Sequence, residues 1–225
     1  MKHKFYLKTK KEQRQAQFKL AGVAIFLNLL LLLLLWAIGL PILGLLCISI
    51  TLTIVAPFFD VPSLVKQGQL IYYSPLFLIE KEKDGVITIH GGTLFDYYYV
   101  IDRKLNGAQR TNLIIKGYLD GLLHLIEEYE RKAPNSIKIK GTSYIINERT
   151  ASKIGLKKVE TNWLQRFILS FNYFNLTTSY SLAKAKLSFP NLNNTDSFEG
   201  DMDTLIQQKA YLLRVKKMIV KKIPI

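Results

Sequence analysis

Charge is missing from one long stretch of this 225-residue chain. Between Leu20 and Phe59 there is no Asp, Glu, Lys, Arg or His. Cysteine is nearly missing too. The single Cys47 lies inside that stretch and has no partner within the chain, so no disulfide framework is possible and nothing points to an oxidising compartment. Histidine is scarce: His3, His90 and His124 are the only three. There is no His-Glu-x-x-His, no cysteine pair and no carboxylate cluster at ligand spacing, so no pattern for a metal site is present. The Gly-x-x-x-x-Gly-Lys-Ser/Thr phosphate loop, the Gly-x-Gly-x-x-Gly turn and the Gly-x-Ser-x-Gly elbow are also missing. Those absences remove the simplest signatures of nucleotide binding and serine hydrolysis.

The uncharged stretch has one main physical reading. A hydrocarbon core of about 30 Å needs roughly 20 apolar helical residues per crossing. The stretch is long enough for two, and Gly39-Leu40-Pro41 breaks it in the middle. Glycine relaxes the helix, and proline suits the first turn of the next. Residues 20–38 and 41–58 are therefore expected to form a transmembrane helical hairpin. A secretory signal has a much shorter apolar region and a cleavage site after it. Asn28, the one strongly polar side chain inside, is expected to hydrogen-bond between the helices.

Lysine and arginine set the orientation. Lys2, Lys4, Lys8, Lys10, Lys11, Arg14 and Lys19 stand against the single acid Glu12 in residues 1–19. Such a basic arm predicts a cytoplasmic N-terminus. Two crossings return the chain, so residues 60–225 are expected on the cytoplasmic side as well, at a bacterial inner membrane. The net charge of the chain is +14.

Residues 60–225 are long enough to build one hydrophobic core. Short apolar runs at 70–73 and 76–80, a Lys83-Asp84-Gly85 turn and an alternating run at 86–90 predict antiparallel strands. The aromatic run at 93–101 predicts a central strand. Residues 111–131 carry apolar positions at helical spacing, and Pro134 is expected to end that helix. Residues 136–140 and 156–159 read as strands, and Asn147 as the cap of a short helix that stops before Gly155. Residues 163–174 form an amphipathic helix with Trp163, Phe167, Ile168 and Phe171 on one side. Residues 180–189 are ambiguous between strand and loop, and 190–200 read as a loop. Residues 203–220 form a final basic amphipathic helix. The fold class expected is a two-helix transmembrane hairpin followed by an α+β soluble domain with a mixed, largely antiparallel sheet.

Three features are candidate sites. His90-Gly91-Gly92-Thr93 lies between expected strands and reads as a bend in the sheet more readily than as a ligand loop. The tyrosines of Tyr72-Tyr73 and Tyr97-Tyr98-Tyr99 suit a sheet face covered by a helix. The basic residues at the two ends are expected at the membrane surface: Lys8, Lys10, Lys11, Arg14 and Lys19 on the arm, and Arg214, Lys216 and Lys217 on the last helix. The membrane accounts for this charge without nucleic acid, whose recognition motifs are absent.

Lys116-Gly117-Tyr118-Leu119-Asp120-Gly121, followed by a helix, a strand and the Asn147…Ala151…Gly155 segment, resembles the cofactor-binding half of the GNAT acetyltransferase family. The resemblance implies acetyl-coenzyme A as cofactor and its pyrophosphate at Lys116, Gly117 and Gly121, held by backbone N–H groups at a helix start. The same residues also read as one helix that begins before Lys116, with Gly117 and Gly121 on a packing face. Two functions follow. One is a membrane-anchored interaction module with no cofactor, partnered by membrane lipids and by a second copy or another membrane protein. The other is a membrane-tethered acyltransferase.

Overall fold

The structure, a computed structural model, describes residues 2–132, 137–143 and 148–223. Helix α1 spans Lys10–Ala37 and so begins ten residues before the expected span. The reason is local. Thr9 caps it, and Glu12 reaches back to the Thr9 N–H at 2.7 Å, a reciprocal box that starts the helix in water. At the far end Gly39 adopts φ +78° and the Leu40 N–H bonds to the Leu35 carbonyl, which closes α1. Pro41 then opens α2, Pro41–Val55. The two helices pack together. Asn28 bridges them as its position predicts, donating to the Ala24 carbonyl and accepting from the Thr51 hydroxyl at 3.2 Å. Both helices are long and apolar enough to cross a membrane, the second counted through α3, Pro57–Lys66.

Gly68, at φ +70°, turns the chain out of α3 directly into the sheet. Strands β1 (Leu70–Ser74), β2 (Phe77–Glu80) and β3 (Val86–Gly91) form the antiparallel meander expected. Next come β4 (Lys138–Ser143), β5 (Lys157–Val159) and β6 (Asp196–Asp201). The order across the sheet is β1-β2-β3-β4-β6-β5, and only β3 and β4 run parallel. The sheet is thus mixed and mostly antiparallel. The loop expected at 190–200 is a single 3-10 turn, Leu192–Asn194, followed by β6, whose Phe198 turns into the core.

The strand expected at 93–101 is instead helix α4, Leu94–Val100. The Asp96 carboxylate accepts from the Thr93 N–H and hydroxyl, at 2.7 and 2.8 Å. That cap overrides the strand preference of the aromatics. Leu94, Phe95, Tyr97 and Val100 are buried at helical spacing, while Tyr98 faces out.

Helix α5, Gly107–Lys132, lies over one face of the sheet. Its Leu119, Leu122, Leu123, Leu125 and Ile126 meet Phe77, Ile79, Ile87, Ile89 and Ile139 in the main core. Pro134 and Asn147 lie outside the described residues. The short helix before Gly155 is α6, Glu148–Ser152. The single helix expected at 163–174 is two, α7 (Trp163–Phe171) and α8 (Tyr173–Lys184), and α8 takes up the first half of the ambiguous 180–189 stretch. The last expected helix is also broken, into α9 (Met202–Gln207) and α10 (Lys209–Val220).

Candidate functional site

The turn implied by the acetyltransferase resemblance is not formed. Lys116, Gly117 and Gly121 lie in the middle of α5, so their backbone N–H groups are used within the helix. Gly117 and Gly121 face the strands. The Ser74 hydroxyl donates to the Gly117 carbonyl at 2.5 Å, and a Cβ on Gly121 would stand 2.4 Å from Cβ of Phe77. Lys116 is paired with Asp120 at 2.6 Å. The alternative reading of these residues, a packing face, is the one that the structure adopts.

The two basic ends are not brought together. Lys8, Lys10, Lys11, Arg14 and Lys19 are exposed along the start of α1. An open groove beside them is lined by Lys4, Lys8, Glu12, Tyr98, Tyr99 and Arg103, and the Arg103 guanidinium stacks 4.9 Å over the Tyr98 ring. Helix α10, in contrast, packs on α5 over the opposite face of the sheet. Its Tyr211, Leu212, Val215 and Ile219 belong to the core, so its apolar side is turned into the domain rather than left for lipid. Lys216 is spent on Asp120 at 2.7 Å, whereas Arg214 and Lys217 stay exposed. His90 pairs with Glu80 at 2.9 Å, and β3 stays in regular register with β2 through Gly91, so the expected bend in the sheet is instead the exit of the chain from the sheet into α4.

A buried polar cluster had no forecast in the sequence. Asp96 is fully buried. Besides the two Thr93 bonds, it accepts from the Tyr72 hydroxyl and from His3 Nε2 at 3.1 Å. With the proton on Nε2, the other ring nitrogen of His3 is buried without a partner. Next to His3, Phe5 is 1% exposed and packs against Phe58, Leu78 and Phe95. Burial pushes the Tyr6 phenol up to about 12, and burial together with the Asp96 charge pushes Tyr72 further the same way. The segment before α1 is therefore a fitted part of the domain. The Thr93-x-x-Asp96 spacing was a visible signal for the cap. His3 is separated from Asp96 by 93 positions, and no local pattern could have joined them.

Two further bonds matter here, one within the hairpin between α1 and α3 and one between the hairpin and the domain. Gln17 Nε2 donates to the Phe58 carbonyl at 2.8 Å. Asn175 Nδ2 donates to the Thr53 carbonyl at 2.9 Å. Thr53 needs that donor. In a continuous helix its carbonyl would accept from residue 57, but Pro57 has no N–H. Immediately before α8, helix α7 carries Trp163, Leu164, Phe167, Ile168 and Phe171, all exposed, and none of its nine residues is buried. The apolar side expected of this amphipathic helix is present and faces out. No protein-family model, curated protein or solved structure matches the chain.

Proposed function

We propose that this chain is a membrane-anchored interaction module. Its two long apolar helices cross a bacterial inner membrane, and the α+β domain sits on the cytoplasmic side with the basic arm. The domain works by binding a second copy of the chain or another membrane protein, not by turning over a substrate. The observation that carries this reading is the absence of slack between hairpin and domain among the described residues. Helix α2 leads through Ala56 into α3, and Gly68 leads α3 into β1. The Asn175–Thr53 bond and the buried Phe5, packed against Phe58, Leu78 and Phe95, then fasten the domain to the hairpin at two further places. A domain held this way transmits any change in span association to its own surface. The lack of a complete catalytic motif in the sequence agrees with this role.

The test is the state of the full chain in its membrane. Light scattering in mild detergent and crosslinking before solubilisation are expected to give an oligomer or a discrete adduct with a membrane protein. A strictly monomeric chain with no adduct would sink the reading.

A further inference from the structure

Helix α7 is the least explained element of the molecule. At 100° per residue, Trp163, Leu164, Phe167, Ile168 and Phe171 fall within an arc of about 140°. Gln165 and Leu169 occupy the opposite side and are the half-covered residues, so α7 rests on the domain by its polar-mixed side and turns its apolar side away. Phe167 and Phe171 stack at 6.5 Å, and Phe174 at the start of α8 is exposed too. In water such a face costs roughly 25 cal/mol for each Å² of apolar surface left wet.

The position of α7 identifies what covers it. Asn175 is bonded to Thr53, which lies five residues inside Phe58 on the second apolar helix. At 1.5 Å per residue that is about 7.5 Å deeper than Phe58. Phe58 itself stands level with Gln17, just before the uncharged stretch of α1 begins. The start of α8 therefore reaches below the level where charge ends on the hairpin, and α7 immediately precedes it. An interfacial helix lies with its apolar face about 5–10 Å into the boundary between headgroups and acyl chains. Tryptophan at one end of the stripe suits that boundary, where its ring is wetted at the N–H and dry elsewhere.

We infer that α7 is an interfacial membrane helix, a third membrane contact, with Trp163, Phe167 and Phe171 buried in the lipid boundary beside the hairpin. This rests on the reading of α1 and α2 as membrane spans. The occupant of the apolar face is lipid, because α8, into which α7 leads, packs on the second span and is bonded to it at the depth of Thr53.

The chain has two tryptophans, one for each half of that statement: Trp36 at the far end of α1 and Trp163 on α7. The full chain with Trp36→Phe, and separately with Trp163→Phe, would be reconstituted into phosphatidylcholine and phosphatidylglycerol vesicles. Lipids brominated near the headgroup end or near the methyl end of the acyl chain report depth. Trp163 is expected to emit to the blue and to lose emission mostly to the shallow bromines. Phe167→Ser with Phe171→Ser, both exposed, should keep the detergent melting temperature and reduce that quenching. Red emission from Trp163 would mean that water covers α7. Blue emission without bromine quenching would mean that a second copy or another protein covers it. Either result, with Trp36 still quenched, overturns the inference and spares the spans. Loss of quenching at Trp36 itself would overturn the spans, and the inference with them.

Discussion

Four donors converge on Asp96: the Thr93 N–H, the Thr93 hydroxyl, the Tyr72 hydroxyl and His3 Nε2. Asp96→Asn would turn an amide N–H₂ toward one of these donors inside a site closed to water. The expected loss is about 3 kcal/mol, the range for breaking a buried, hydrogen-bonded charge. It would be read as a lower melting temperature of the full chain in detergent. His3→Ala should cost less but free the segment before α1, so that trypsin cuts after Lys4 and Lys8 much faster than in the parent. Unchanged trypsin kinetics would show that Phe5 alone holds the segment. The neighbouring phenols set an alkaline limit. Tyr6 is raised from 10.0 to about 12 by burial, and Tyr72 is raised as well. The folded state thus keeps protons that the unfolded chain releases above the ordinary tyrosine value. Their contribution to stability is complete below that value and is lost as pH rises through the folded one. Melting temperature should accordingly fall between about pH 10 and about pH 12, and Tyr6→Phe should flatten the fall.

Among elements, α5 shows how a packing demand outweighs helix propensity. Alanine is the better helix former by about 1 kcal/mol at an ordinary site. At Gly121 an added Cβ would meet Cβ of Phe77 at 2.4 Å, part of a strand that has no room to retreat. Gly121→Ala is therefore expected to destabilise by about 1–3 kcal/mol, the cost of overpacking, with its sign opposite to the propensity scale. A denaturant midpoint that rises instead would refute the close approach. The same helix explains what was legible in advance. Residues 111–131 announced α5 by spacing, and the hairpin announced itself because so long an uncharged run has one common physical meaning. Gly117 and Gly121 were ambiguous, since a glycine that lets backbone approach a phosphate and one that lets a helix approach a strand look alike in sequence. Residues 94–100 misled because aromatic density speaks for a strand, while the deciding Thr93–Asp96 cap is a matter of two side chains. The stripe of α7 was plain from periodicity, but periodicity does not say whether a stripe meets a core or something outside it. The same limit holds for α10, whose stripe turned inward to α5.

For the whole molecule, the proposed membrane hairpin carries a prediction of direction. The structure places the segment before α1 and the α+β domain at the same end of the hairpin, because Phe5 and Phe58 pack in one cluster. Gly39 and Leu40 form the opposite end. If the hairpin crosses a membrane as proposed, those two ends lie on opposite sides of it. Under that proposal the basic residues before Leu20 and the uncharged turn at Gly39 favour a cytoplasmic domain, since positive charge near a span is retained on the cytoplasmic side. With Cys47→Ser as background, one new cysteine at a time reports the side. Leu40→Cys, at the exposed turn, should react with a membrane-impermeant maleimide on intact spheroplasts. Lys83→Cys, in the exposed turn between β2 and β3, should react only after permeabilisation. The reverse pattern would leave the hairpin intact and move the domain outside. Labelling of both sites in intact spheroplasts would instead show that the hairpin does not cross, because the fold fixes those two positions at its two ends.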